Sequence, residues 1–210
     1  MFVRDCMTPN PIAIRPESDP LVAVGLMKSA GFRHLPVLDD EGSLVGIVDR
    51  SDLELFLSTA GSPGIMKRNH RVDQVMHREV IQVTPECPLE EAAALMVQHK
   101  IGSLPVVDAG KLVGIITETD IFKRFAAVLG GGTDALRLTV QVDDLPGQLA
   151  GLAGCIAGVQ GNISSVVGYP AGVPGRMNFT LRVTGIERKT LLEAISGFSG
   201  IEVLDAWGCE

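Results

Sequence analysis

Residues 34–52, HLPVLDDEGSLVGIVDRSD, and residues 103–120, SLPVVDAGKLVGIITETD, are two copies of one passage. The duplication reaches further upstream. Met7 pairs with Met76, Pro16 with Pro85, Ala23 with Ala92 and Met27 with Met96, each 69 residues apart. After the turn the offset falls to 68, because DDEGS is one residue longer than DAGK. Two copies of a unit too small to close its own core are expected to stack on each other. The cleft they share is the first place to look for function.

Each copy reads as the same series of elements. In the first, an extended stretch at Ile12-Ala13-Ile14 leads through Pro16 to a helix over 21–30. Two strands follow, 35–38 and 44–48, joined by the turn DDEG, and then a helix over 51–58. In the second, a strand over 80–83 precedes a helix over 89–100. A hairpin of 103–107 and 112–116 comes next, and a closing helix spans 118–128. Glu90 and Glu91 in the first turn of their helix and Lys100 in the last suit the helix dipole. Gly61–His70, carrying Gly, Pro and charge, reads as a surface linker.

The pattern changes after Gly130-Gly131-Gly132, which reads as a flexible joint; no GK[ST] follows to make it a phosphate loop. Leu136, Leu138, Val140 and Val142 alternate with Arg137, Thr139, Gln141 and Asp143, a half-buried strand. A helix opened by Pro146 runs to about 158. A strand over 162–167 and a Gly/Pro loop over 168–175 follow, then a strand over 177–183, a helix over 187–196 and a strand over 201–206. The order is βαββαβ, a mainly antiparallel sheet with both helices on one face.

The bulk numbers suit such a chain. It has 210 residues, 46% hydrophobic and 20% charged, with 18 basic and 25 acidic residues for a net charge of −7. No basic run stands out, so no nucleic-acid partner is expected. No apolar stretch reaches the roughly 20 residues that span a bilayer, and the N-terminus lacks a signal-peptide core. No membrane association and a cytoplasmic location are therefore expected. Cys6, Cys87, Cys155 and Cys209 are scattered, and the four histidines lack ligand spacing, so no metal site is expected. With no GxSxG, HExxH or supported Cys/His arrangement, no catalytic residue is assigned and no enzyme activity is expected.

The doubled half resembles a tandem pair of CBS domains, a Bateman module, through MTPNPIAI, the LPV strands and the endings GIVDRSD and GIITETD. Residues 135–210 resemble an ACT domain, through DDLPGQLAGLAG and Gly161-Asn162-Ile163 within the βαββαβ order. The joint order is similar to CBS–CBS–ACT proteins of the acetoin-utilisation type. The implied fold class is α+β or α/β, a pseudo-twofold CBS pair followed by a ferredoxin-like ACT domain. The expected divisions are repeat 1 over 1–60, a linker over 61–71, repeat 2 over 72–128, a joint over 129–134 and the ACT-like part over 135–210.

The resemblance implies adenosine-containing ligands between the repeats. Each site takes its GhxTxxD ending from one repeat, and the opening strand and residues before LPV from the other. The terminal Asp can accept hydrogen bonds from both ribose hydroxyls, while the Thr hydroxyl and helix-start N–H groups can hold a phosphate. One site then combines Thr117 and Asp120 with Thr8, Asn10, Ile12, Arg33, His34 and Pro36, and is expected to bind AMP, ADP or ATP. The other combines Asp49 and Asp52 with Val80, Ile81, Ser103 and Pro105. There a carboxylate, Asp49, replaces the Thr, and Gly102-Ser103 replaces the basic Arg33-His34. Like charge repels phosphate, so this weaker site takes an uncharged adenosine-like group, needs a metal, or stays empty. Asp52 and Asp120 also suit the first turn of a helix for structural reasons alone.

For the ACT-like part the resemblance implies an amino acid at the loop of Asp144, Pro146 and Gly147, with Asn162 and Ile163 across a dimer interface; Pro146 also simply starts a helix. The expected function is a non-catalytic regulatory sensor that needs no cofactor, takes an adenine nucleotide as ligand, forms a homodimer and acts on a separate target protein. The alternative is a ligand-free scaffold.

Overall fold

The computed structural model describes residues 1–60 and 70–208. Most of the expected linker and Cys209 lie outside them. The chain divides into two compact units, Met1–Phe122 and Lys123–Glu210.

In the first unit, repeat 1 contributes β1 (Thr8–Pro9), α1 (Pro20–Ala30), β2 (His34–Leu38), β3 (Leu44–Asp49) and α2 (Arg50–Ala60). Repeat 2 contributes α3 (Leu89–His99), β4 (Ser103–Asp108), β5 (Lys111–Thr117) and the start of α4 (Glu118–Val128). Asp19 caps α1 by accepting from the Leu21 N–H, Pro20 opens it, and Gly31 ends it at φ 76°. Lys100, not a glycine, ends α3 at φ 55°. The hairpins β2–β3 and β4–β5 are antiparallel, with a bulge at the same place, Val37/Leu38 and Val106/Val107. The duplication therefore extends to irregularities of the backbone.

The repeats exchange their opening segments. Val3 N–H donates to the Cys87 carbonyl and Arg4 N–H to that of Pro85, and Thr8-Pro9 pairs with Ile115 and Gly114 of β5. Reciprocally, Val72 N–H donates to the Ser18 carbonyl, Asp73 N–H to that of Pro16, and His77 bridges Ile47 of β3. Val72 and Met76 are built into the core of repeat 1, beside Ala23, Met27, Leu35, Val37, Val48 and Leu53. Glycines make room for this exchange. A Cβ on Gly46 would lie 2.6 Å from the Met76 sulfur, and one on Gly114 would lie 2.4 Å from that of Met7.

Each opening then crosses back to its own repeat. Ile14 makes a parallel bridge to Val37, and Val83 makes one to Val106. Residues 80–83 are therefore not the strand their sequence suggests. They pass from one sheet to the other, and only Val83 finds a ladder partner. Ile12-Ala13-Ile14 behaves alike. The crossing residues, Asn10 to Ile12 and Glu79 to Ile81, are the ones the cleft needs.

The second unit has β6 (Leu136–Asp143), α5 (Gln148–Gly158), β7 (Asn162–Pro170), β8 (Arg176–Thr184), α6 (Arg188–Ser196) and β9 (Glu202–Trp207). All sheet pairs are antiparallel, in the order β7-β8-β6-β9. Leu152 and Ile156 of α5 and Leu191 and Ile195 of α6 share one core with Leu138, Val140, Leu181 and Val183, so both helices lie on one sheet face. Three details differ from expectation. Helix α5 begins at Gln148 because Gly147, at φ 93°, cannot be helical. Strand β7 continues through Gly168 to Pro170, which an edge strand tolerates. The glycine run is a hydrogen-bonded turn rather than a loose joint: Gly130 N–H donates to the Ala127 carbonyl, Gly131 N–H to that of Ala126, and the Thr133 hydroxyl to that of Gly130.

Candidate functional site

Between the repeats lies a cavity of about 370 Å³. Its walls include all six residues of the second predicted set: Asp49, Asp52, Val80, Ile81, Ser103 and Pro105. Asp49 ends β3 and Asp52 stands in the first turn of α2, so the strand-to-helix junction aims both carboxylates at one space. Val80 and Ile81 arrive on the crossing segment. Among the described residues these two make no hydrogen bond, which leaves their backbone polar groups open to water or a ligand. Ser103 and Pro105 open β4 and are buried.

The cavity also holds side chains that the sequence reading placed elsewhere or passed over. His34, assigned to the first set, reaches this cavity, with its Nε2 3.1 Å from the Asp49 carboxylate. Gly102 lies beside it, where a Cβ would make ordinary van der Waals contact with the imidazole at 3.4 Å. His77 Nε2 lies 2.9 Å from Asp52. Glu79 and Lys100 complete the wall. His77 and Glu79 were findable: they stand 69 residues after Thr8 and Asn10, so the repeat offset points at them. Lys100 carries no such signal, because its counterpart is Gly31.

Burial pushes the His34 pKa below 6.5; neighbouring Asp49 and Glu118 pull it up and Arg33 pushes it down, and burial wins. The depressed pKa means the unfolded chain binds the proton more tightly than the fold does. The stability contributed by neutral His34 is present above pH 6.5 and is lost as pH falls through that value toward the folded pKa. The urea midpoint is expected to drop between pH 7.5 and 5.5, and His34→Gln is expected to flatten that drop. An equal decline in both proteins would remove His34 as the cause.

A second space, about 410 Å³, shares His34, Asp49, Lys100, Ile101 and Gly102 with the cavity. Arg33, Arg50, Glu54 and Glu118 line its far side. Arg33 thus faces this charged groove.

None of the remaining first-set residues lines either of these two spaces. Asn10 N–H donates to the Val113 carbonyl, and Thr8 lies opposite Ile115 on β5, two residues before Thr117. Pro36 is buried, with its carbonyl accepting from Ile14 N–H, while Ile12 is exposed. Thr117 and Asp120 form a reciprocal cap. The Thr117 N–H and hydroxyl both donate to Asp120 Oδ2, at 3.0 and 2.6 Å, and Asp120 N–H points back to the Thr117 oxygen at 3.3 Å. The corresponding Asp49 accepts from the N–H and the hydroxyl of Ser51. Both junctions are therefore held rigid by their own motif residues.

In the second unit, Asp144, Pro146 and Gly147 are exposed at one end of the sheet. Asn162 and Ile163 pair with Thr184 and Val183 at the other end. One chain does not bring these two groups together. Among the described residues, no His, Cys, Asp or Glu cluster has an arrangement able to hold a metal, and no helix is long and apolar enough to cross a membrane.

Comparison with known proteins agrees with this architecture. The CBS domain model matches residues 3–58 and 72–127, and the TTHA0829-like ACT domain model matches 131–206. The CBS domain-containing protein YhcV of Bacillus subtilis is 34% identical over 119 residues, 57% of this chain and 81% of that protein. In several other relatives the match is a small part: it spans 24% of a homoserine O-acetyltransferase from Methanosphaerula palustris, at 37% identity and 58% of this chain. Among solved structures, a putative acetoin utilization protein (AcuB) from Vibrio cholerae superposes with a TM-score of 0.55 at 34% identity, covering 62% of this chain and 93% of that one. The CBS pair of MJ0100, in complex with 5′-methylthioadenosine and S-adenosyl-L-methionine, gives 0.52 at 27% identity, covering 60% and 97%. CBSX2 in complex with AMP gives 0.52 at 30% identity, covering 60% and 97%. The chain belongs to the CBS-domain family, as a tandem CBS pair followed by an ACT domain.

Proposed function

We propose that this protein is a non-catalytic regulatory sensor whose CBS pair binds adenosine-containing ligands between its repeats and passes the change to a partner protein. The observation that carries this reading is the cavity at the Asp52 junction. It joins a ribose acceptor, an apolar crossing segment with unpaired backbone groups and a buried strand opening in one space. The related CBS pairs that hold AMP, 5′-methylthioadenosine and S-adenosyl-L-methionine support the ligand class.

The two ends are unequal. At the Asp52 end, Asp49, Asp52 and Glu79 outnumber Lys100, and that balance disfavours a phosphate within the cavity. This end takes adenosine with an uncharged or cationic 5′ substituent. At the Asp120 end, Thr117 offers a hydroxyl where Asp49 stands in the other copy, and this end takes AMP, ADP or ATP. The ACT domain takes an amino acid at Pro146-Gly147 once a second chain brings Asn162 and Ile163 alongside, which makes the homodimer part of this proposal.

Thermal unfolding with added ligand tests the ligand class. AMP or 5′-methylthioadenosine at 100 times its dissociation constant is expected to add about 2.7 kcal/mol of stability. No shift with AMP, ADP, ATP or 5′-methylthioadenosine would favour a ligand-free scaffold.

A further inference from the structure

A pocket of about 420 Å³ lies within the second unit, away from the Pro146-Gly147 loop. One wall is the end of α4 and the glycine turn, with Leu129 facing inward. The other is the sheet face opposite α5 and α6, where Arg137, Arg182, Ser165, Val167 and Tyr169 stand on neighbouring strands. Sheet register places Arg137 directly opposite Arg182, and Asp143 at the far end of the same strand pair opposite Arg176. The Pro146-Gly147 loop follows Asp143, so the two places are at opposite ends of the sheet.

The charges here are unbalanced. No carboxylate lines the pocket. Arg137 is paired with Asp205 at 2.7 Å. Among the described residues Arg182 has no ion pair. It donates only a long 3.4 Å bond to the Ala135 carbonyl, and its buried Nε has no hydrogen-bond partner. Its stem is pinned under the glycine turn, since a Cβ on Gly130 would lie 2.8 Å from the Arg182 Cγ. A fixed guanidinium with an unmet buried donor calls for an acceptor. The volume is that of a small-molecule pocket, and Leu129 and Val167 supply an apolar floor.

We propose that this pocket binds a small organic monocarboxylate, its carboxylate between Arg137 and Arg182 and its apolar body against Leu129, Val167 and the Tyr169 ring. The inference does not depend on nucleotide binding by the CBS pair. Trp207, the one tryptophan of the chain, has its ring 5.9 Å from the Arg182 guanidinium and reports occupancy directly.

The test is titration of the full-length protein with benzoate, read by Trp207 fluorescence, with benzamide as the neutral isostere and inorganic phosphate as the competing anion. The proposal expects a saturable change with benzoate, none with benzamide, and at least tenfold weaker binding in Arg182→Gln. Arg137→Gln, expected to weaken binding likewise, carries the comparison should Arg182→Gln fail to fold. Asp52→Ala is expected to bind benzoate like the wild type. No saturable response, an equal response in folded Arg182→Gln, or tighter binding of phosphate than of benzoate would each overturn the assignment.

Discussion

Asp120→Ala is expected to lower AMP affinity by about 1.5–3 kcal/mol, roughly 10- to 150-fold, the scale for hydrogen bonds to a charged group. Asp52→Ala is expected to leave AMP affinity close to wild type and to lower affinity for 5′-methylthioadenosine by a similar factor. The reasoning is local. Each carboxylate stands in the first turn of its helix, held by a neighbour: Asp120 by Thr117, Asp52 by His77. A ribose with two vicinal hydroxyls needs both oxygens of one carboxylate, and alanine offers neither. Because Asp120 is also the third-residue partner of the Thr117 cap at the start of α4, its loss weakens that helix end as well. Asp120→Asn separates the two effects, since it keeps a capping oxygen and removes the charge. Calorimetry in which Asp52→Ala weakens AMP more than Asp120→Ala does would reverse the assignment of the two ends.

The second large effect is on folding. Leu35→Ala is expected to cost about 2–5 kcal/mol, the range for a fully buried leucine. That is a large share of a typical domain's 5–15 kcal/mol. Leu35 belongs to a core that also contains Val72 and Met76, so the damage crosses from one repeat to the other. Both repeats are expected to lose structure in one urea transition at a lower midpoint. A loss below about 1 kcal/mol, or two separated transitions within the CBS pair, would contradict the shared core.

Much of this was legible because the chain states it twice. The LPV strands, the GIVD and GIIT strands and the helices after them carry local signals, periodicity and turn residues, and the structure places them within a residue or two. The βαββαβ order of the second unit was legible for the same reason. The exchange of openings was not, because Val3 meeting Cys87, or Asp73 meeting Pro16, joins residues far apart in sequence and leaves no local pattern. The same blindness made residues 80–83 look like a strand: the apolar run is real, but its role is to cross between sheets. The composition of the Asp52 site was readable by family pattern, whereas His34 reaching Asp49 follows from the β2–β3 register, which sets the two residues opposite each other. The glycine run was read through its entropy, and the hydrogen bonds that fold it onto the end of α4 lay beyond any sequence signal.

The most direct measurement is a crystal structure of the full chain grown with AMP and 5′-methylthioadenosine. The account predicts ligand in the cleft between the repeats, with ribose hydroxyls within about 2.5–3.2 Å of the Asp120 or Asp52 carboxylate. Ligand bound elsewhere on the chain, with both carboxylates still held only by Thr117 and His77, would contradict it.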